Sequence, residues 1–365
     1  MLTSRMQPWI AVKRILVTGA GVVAFVAAAF SADSLQAADQ VTRRSDRVVF
    51  KGTLEDMTTA SVKVKLSNGQ VQEIPVSDIQ AVRFDGEPSL LNQAQSNERS
   101  GALDIALEKY KQVQTEYDGD DKRLVVELKF LIARSLVKSA LANPAKFDEA
   151  KKAIAAFRAE NKSNFRYLEA TLLEAHLLSL DTANASAAEQ LLNEVQSAPV
   201  KGFKLQAGVQ LGKLRLAAKD AAGALTAFEQ VISDSSGDAA SSGALYDGML
   251  GKAMCQKSQG QSDEAIKTLD EVIARATESE TETLAEAWVL KGDCLREKGQ
   301  PKDALMAYLR VDILYSSEPA AHAEALYHLA ALWGPAGRQD RADNAQAKLV
   351  EKYPNSTWAK QGGTK

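Results

Sequence analysis

The chain has 365 residues, 44 basic against 47 acidic, a formal charge of −3 and 6% aromatic content. A mildly acidic balance with no strongly basic segment offers no general attraction to nucleic acid. Beyond residues 1–37 no glycine-rich phosphate loop opens a helix, no Gly-x-Ser-x-Gly elbow occurs, and neither cysteine has a histidine close in sequence, so no catalytic site, cofactor or small-molecule substrate is expected.

Residues 1–37 read as a secretory signal peptide: Arg5, Lys13 and Arg14 precede a weakly polar-to-apolar run over 15–30, and small residues follow, with Leu35-Gln36-Ala37 before Ala38 as the expected cut. A retained membrane anchor is the alternative, since the run is about as long as a marginal spanning helix. No cysteine lies near the cut and no Arg-Arg pair lies in the leader. Removal takes away three basic residues and one acidic one, moving the formal charge from −3 to −5.

A polar stretch over 38–47 leads into a period of two, and residues 38–86 read as a small β domain. Val48–Leu54 (48–54) is a strand bent at Gly52; Val62, Val64 and Leu66 alternate with outward lysines; Asn68-Gly69 marks a tight hairpin turn. Residues 70–75 return, 76–79 suggest one helical turn, and 81–84 make a last strand. Four short strands bury a core only if the sheet curls on itself, so a bent barrel docked on the following helices is expected. The pattern resembles SH3-like or Sm-like barrels. As function it suggests a docking module for a peptide, a glycan or another envelope protein; equally, it suggests a cap shielding the first helices from water. Arg43, Arg44 and Arg47 leave peripheral contact with a membrane or the cell wall open, against ordinary solvation.

From residue 87 to 358 the sequence repeats itself every 34 to 41 residues. The clearest unit carries Trp288 and then Gly292, Gly299, Ala304, Tyr308 and Val311 at successive intervals of 7, 5, 4 and 3. Small residues there let two helices touch while aromatics fill the gaps, which is how a helical hairpin repeat is written. About seven pairs follow, over 90–117, 123–157, 167–196, a fourth with Gly212, Ala224 and Phe228, a fifth with Ala265, the Trp288 unit, and a last with Ala342 and the stop residue Pro354. Ala106 and Tyr110 hold the matching places in the first. Residues 359–365 are expected as a disordered tail.

These units resemble tetratricopeptide repeats, whose pattern is a large residue, Leu-Gly, an aromatic, Ala, an aromatic, Ala and Pro. The resemblance implies a mainly α, right-handed helical-hairpin solenoid that binds other proteins without being an enzyme. Lys252 and Lys291 stand where leucine is usual, and the connectors are long. Such drift, with Lys352-Tyr-Pro354-Asn-Ser356, is similar to exported bacterial envelope proteins, including coordinators of outer-membrane assembly and of the Tol-Pal system. It implies a periplasmic or cell-envelope scaffold with protein partners. An accessory subunit, holding substrate or cell-wall polymer through the β domain for a partner enzyme or transporter, is the alternative. By repeat position the partner groove falls to Val209, Lys213, Leu250, Met254, Lys257, Val289, Asp293, Arg296, Tyr327 and Ala331, a mixture suited to an extended peptide or a helix. Repeats that grip a terminal carboxylate resemble one another in carrying paired asparagines; valine and leucine hold those places here.

Cys255 and Cys294 are 39 residues apart at one repeat position and are read as small packing residues, with a disulfide left open. His176 is read as a packing residue. His322 and His328 are six apart and share no helix face, so no metal site is expected.

Overall fold

A computed structural model describes residues 38–238 and 241–362; the expected signal peptide lies outside them. Among the described residues no helix is long and apolar enough to cross a membrane. Five antiparallel strands come first: β1 (Asp39–Arg43), β2 (Val49–Met57), β3 (Ser61–Leu66), β4 (Val71–Pro75) and β5 (Ile79–Arg83), in the order β4-β3-β2-β1-β5. Alternation does what the pattern predicts: Val62 and Val64 are fully buried while Lys63 and Lys65 point outward. Gly69 turns the β3–β4 hairpin at φ +82°, and a helical turn at Val76–Asp78 passes the chain on to β5.

Two expectations are corrected. The stretch over 38–47 supplies a fifth strand, β1, which lies between β2 and β5; with Val41 as its one large apolar residue it carries too little alternation to be read as a strand. The sheet also does not close through hydrogen bonds: among the described residues the ladder ends at β4 and β5, with bulges at Thr42/Arg43 and Leu54/Asp56. The helices beneath supply the missing cover, since Val41, Val64, Ile74 and Phe84 share one core with Leu128, Leu131, Leu172 and Phe203.

Among the described residues fifteen α-helices follow. They form seven antiparallel pairs and a short end piece: α1 (Ser89–Arg99) with α2 (Leu103–Glu116), α3 (Lys122–Ala142) with α4 (Phe147–Glu160), α5 (Tyr167–Ser179) with α6 (Ala185–Gln196), α7 (Lys201–Ala217) with α8 (Ala221–Ser235), α9 (Ser242–Ser258) with α10 (Ser262–Arg275), α11 (Thr281–Glu297) with α12 (Pro301–Leu314), α13 (Pro319–Trp333) with α14 (Gln339–Lys352), and α15 (Thr357–Gly362). First helices stack on first helices along the array, α7 on α9, α9 on α11 and α11 on α13. This is a tetratricopeptide-like solenoid with an N-terminal antiparallel sheet.

Close approach explains the small residues. A Cβ added to Gly212 would stand 2.6 Å from the Phe228 ring, and one on Gly292 2.6 Å from the Tyr308 ring. Ala106, Tyr110, Ala224, Phe228, Ala265, Ala304 and Tyr308 are fully buried, and Ala342 nearly so. Trp288 is half-buried: it packs against the core of the last pairs and lies between cations, with Lys291 Nζ 5.1 Å and the Arg310 guanidinium 4.5 Å from its ring. One of the expected packing residues differs. Pro354 is exposed beyond the end of α14, where it stops the helix without packing between repeats. The expected tail is corrected too: α15 runs to Gly362 with Ala359 buried, and only 363–365 lie outside the described residues. His176 is exposed on α5, so it is not a packing residue.

Candidate functional site

The first helices of the last four pairs wall a cavity of about 920 Å³. It gathers six of the expected groove residues, Lys213 on α7, Leu250, Met254 and Lys257 on α9, and Val289 and Asp293 on α11. The segment from Lys352 to Trp358 folds back to form its far wall. The others fall elsewhere. Val209 is buried in the packing around Phe228, Arg296 and Ala331 are exposed outside the cavity, and Tyr327 is half-buried against Trp358, ring centroids 5.1 Å apart.

Leu250 and Val289 are only 5% and 6% exposed, so they form a floor whose area is already withdrawn from water, whereas Met254 keeps 39% of its surface accessible. Further apolar burial on binding therefore rests on Met254 and Trp358 more than on the two aliphatic residues.

Three carboxylates missed in the sequence line the same cavity: Asp247, Glu286 and Glu324. They sit 39 and 38 residues apart, at one position of three successive pairs; the signal was an acid recurring with the repeat. Asp247 and Glu286 reach solvent, yet the surrounding walls exclude enough water to raise both carboxyls, with Lys213 opposing the shift. Neither closes an ion pair within 4.0 Å among the described residues. Burial, reinforced by Asp293, pushes Glu324 up to about 7.

Deeper in, Asp293 is held on both oxygens. Oδ2 accepts from Lys257 Nζ at 2.7 Å and Oδ1 from the Tyr308 hydroxyl at 2.7 Å. Burial raises the Asp293 carboxyl, but these donors outweigh it and hold it below its ordinary value. His328 stacks on Tyr308 at 4.7 Å between centroids, and burial lowers its imidazole to about 4 against the pull of Asp293. His322 goes elsewhere, to the Tyr353 hydroxyl at 2.7 Å and Asp312 at 2.9 Å, so the two histidines of α13 do not converge. Cys255 and Cys294 are buried and free, and burial pushes each thiol up to about 11, which suits packing residues.

A second recess of about 690 Å³ lies where the sheet meets α1, α3 and α5. Arg44, Arg99, Arg134, Lys138 and Arg166 face it together with Glu98, Glu127 and Glu169. Glu98 accepts from Arg134 at 2.7 Å and Lys138 at 2.9 Å. Burial would raise its carboxyl, but the two cations hold it at about 2.

The tetratricopeptide repeat family model matches residues 247–279 and 324–356, the fifth and seventh pairs. No curated protein matches the sequence. Among solved structures, a tetratricopeptide repeat protein from Parabacteroides merdae is 16% identical with a TM-score of 0.54, the match covering 75% of this chain and 95% of that one. The apo form of RapI is 10% identical with a TM-score of 0.51, covering 75% and 79%. At these identities the likeness is one of fold.

Proposed function

We propose that the chain is a non-enzymatic interaction scaffold whose cavity over α7, α9, α11 and α13 holds a protein segment bearing basic side chains. The observation that carries this reading is the pair of carboxylates Asp247 and Glu286, partly desolvated at one repeat position of the cavity wall and without an ion pair within 4.0 Å among the described residues. A lysine or arginine entering there recovers Coulomb energy in a medium of reduced dielectric, while Met254 and Trp358 take apolar neighbours. The test is fluorescence polarisation with labelled peptides alternating Leu with Lys, against the same peptides with Glu. Basic peptides should bind preferentially and lose at least about tenfold in affinity on Asp247→Lys with Glu286→Lys, a coupling of about 1.4 kcal/mol. Equal or tighter binding of the acidic series would sink the reading.

The leader at 1–37 supports export to the periplasm or cell envelope, where the partners would be envelope proteins. N-terminal sequencing of the chain from fractionated cells tests it: a start at Ala38 supports cleavage, and an intact leader in the membrane fraction supports an anchor.

One observation favours the accessory-subunit reading. The recess beneath the sheet carries more cations than carboxylates and so suits an anionic cell-wall polymer. Because the sheet shares its core with the helices, the test uses the whole chain. Retention on peptidoglycan lost with Arg44→Glu would support it, and unchanged retention would speak against it.

A further inference from the structure

We propose that Asp293, Glu324 and His328 form a binding site for one transition-metal dication of the zinc type, placed at the inner wall of the large cavity. One ligand atom from each residue lies within 4.8 Å of the other two. His328 Nε2 is 3.4 Å from Asp293 Oδ1 and 4.0 Å from Glu324 Oε1. Bonds of about 2.0–2.2 Å in a tetrahedral site put neighbouring donor atoms about 3.3–3.6 Å apart. The imidazole and Asp293 already have that separation, and the Glu324 carboxylate lies within 4.8 Å of both.

The second observation is independent of the acids. His328 is only 7% exposed, and its Nε2 has no hydrogen-bond partner, although a buried ring nitrogen ordinarily has one. The unsatisfied atom belongs to a ring fixed on three sides, stacked on Tyr308 and edged by Tyr327 at 5.3 Å and Trp358 at 5.6 Å. Asp293 is also pre-positioned: Lys257 and Tyr308 take two of its acceptor sites and leave others for an ion. One imidazole with two carboxylates suits zinc and its neighbours better than calcium or magnesium, which prefer all-oxygen shells. Asp293 and Glu324 also line the cavity, so the remaining coordination position opens towards it.

The test is titration of the purified full chain with zinc chloride by calorimetry, and with cobalt chloride by visible absorption. One ion per chain is expected, with cobalt bands of a four- or five-coordinate site and no thiolate-to-metal charge transfer. Glu324→Gln, which keeps size and lets the fold stand, and His328→Ala should each weaken binding at least about tenfold, with helical circular dichroism unchanged. Cys255→Ser with Cys294→Ser should leave it intact. Several weak ions per chain, wild-type affinity in Glu324→Gln, or loss confined to the cysteine variant would each overturn the site. Should His328→Ala fail to fold, Glu324→Gln decides alone.

Discussion

Phe228 shows what a single residue can require of its neighbours. Its ring is pressed by Gly212 from its own pair and by Gly251 from the next, where an added Cβ would overlap ring carbons. Gly251→Ala should cost about 1–3 kcal/mol in urea unfolding, the usual penalty of overpacking. Gly243→Ala on the same helix meets nothing within 4 Å and should be neutral or stabilising by up to about 1 kcal/mol. Glu98 gives the matching electrostatic case. Its folded pKa of about 2 lies below the ordinary value of about 4.3, so its contribution is complete above the latter and is lost as pH falls through the former. Glu98→Gln should therefore destabilise by about 3–5 kcal/mol at pH 7. The gap to wild type should close as thermal melts are taken down towards pH 2; a gap independent of pH would assign the loss to packing. Phe228 with Gly212 and Tyr308 with Gly292 were legible because both partners recur within the repeat, whereas Gly251, reaching Phe228 from the next pair, was not. The Asp293–Glu324–His328 group was not: its members belong to two successive pairs, and neither acid departs from an ordinary polar pattern. Asp39 was hidden for a similar reason, its carboxylate reaching the Asp85 amide at 2.9 Å and Arg123 at 2.8 Å, far along the chain.

Among the elements, the turns inside the pairs are the most uniform. Gly101, Gly260, Gly299 and Gly337 each pass from first to second helix at φ between +71° and +80°, and Lys219 holds the same place in the fourth pair at +64°. The left-handed region costs a residue with a Cβ about 1–2 kcal/mol, against about 0.5–1 kcal/mol of extra backbone entropy for glycine. Lys219→Gly should thus raise stability slightly, read as a higher melting temperature; a fall would show that the lysine side chain carries a contact worth more than the strain. Helix placement was largely legible, since a 3.6-residue period sustained over a dozen or more positions leaves little freedom: the third pair, read over 167–196, matches α5 and α6 end to end. Short elements escaped. β1 has Val41 as its one large apolar residue and so shows no alternation, and α15 spans six residues, fewer than two helical turns.

At the scale of the molecule, sheet and helices share one hydrophobic core at the N-terminal end, and they are expected to unfold together. A single core runs from Val41 through Leu128 and Leu172 to Leu214, while the later pairs keep smaller cores of their own. Asp39→Ala, which removes a buried acceptor joining β1 to α3, should cost about 2 kcal/mol. That loss should appear as slower-to-faster amide exchange in α3 and α5 as well as in the strands, with α13 and α14 little changed. Exchange accelerated in the strands alone would mean the two parts unfold separately.

The sheet lies over the first helices α1, α3 and α5, and its turn at Ser77 packs against Gly202 at the start of α7. The array is therefore occupied along its early length by its own N-terminal segment. A guest strand laid on the later helices would run from α13 towards α7 and there meet a built-in end stop. On the function proposed above, that arrangement would favour a terminus or a short exposed stretch over a long continuous segment, a selection by length added to the one by charge.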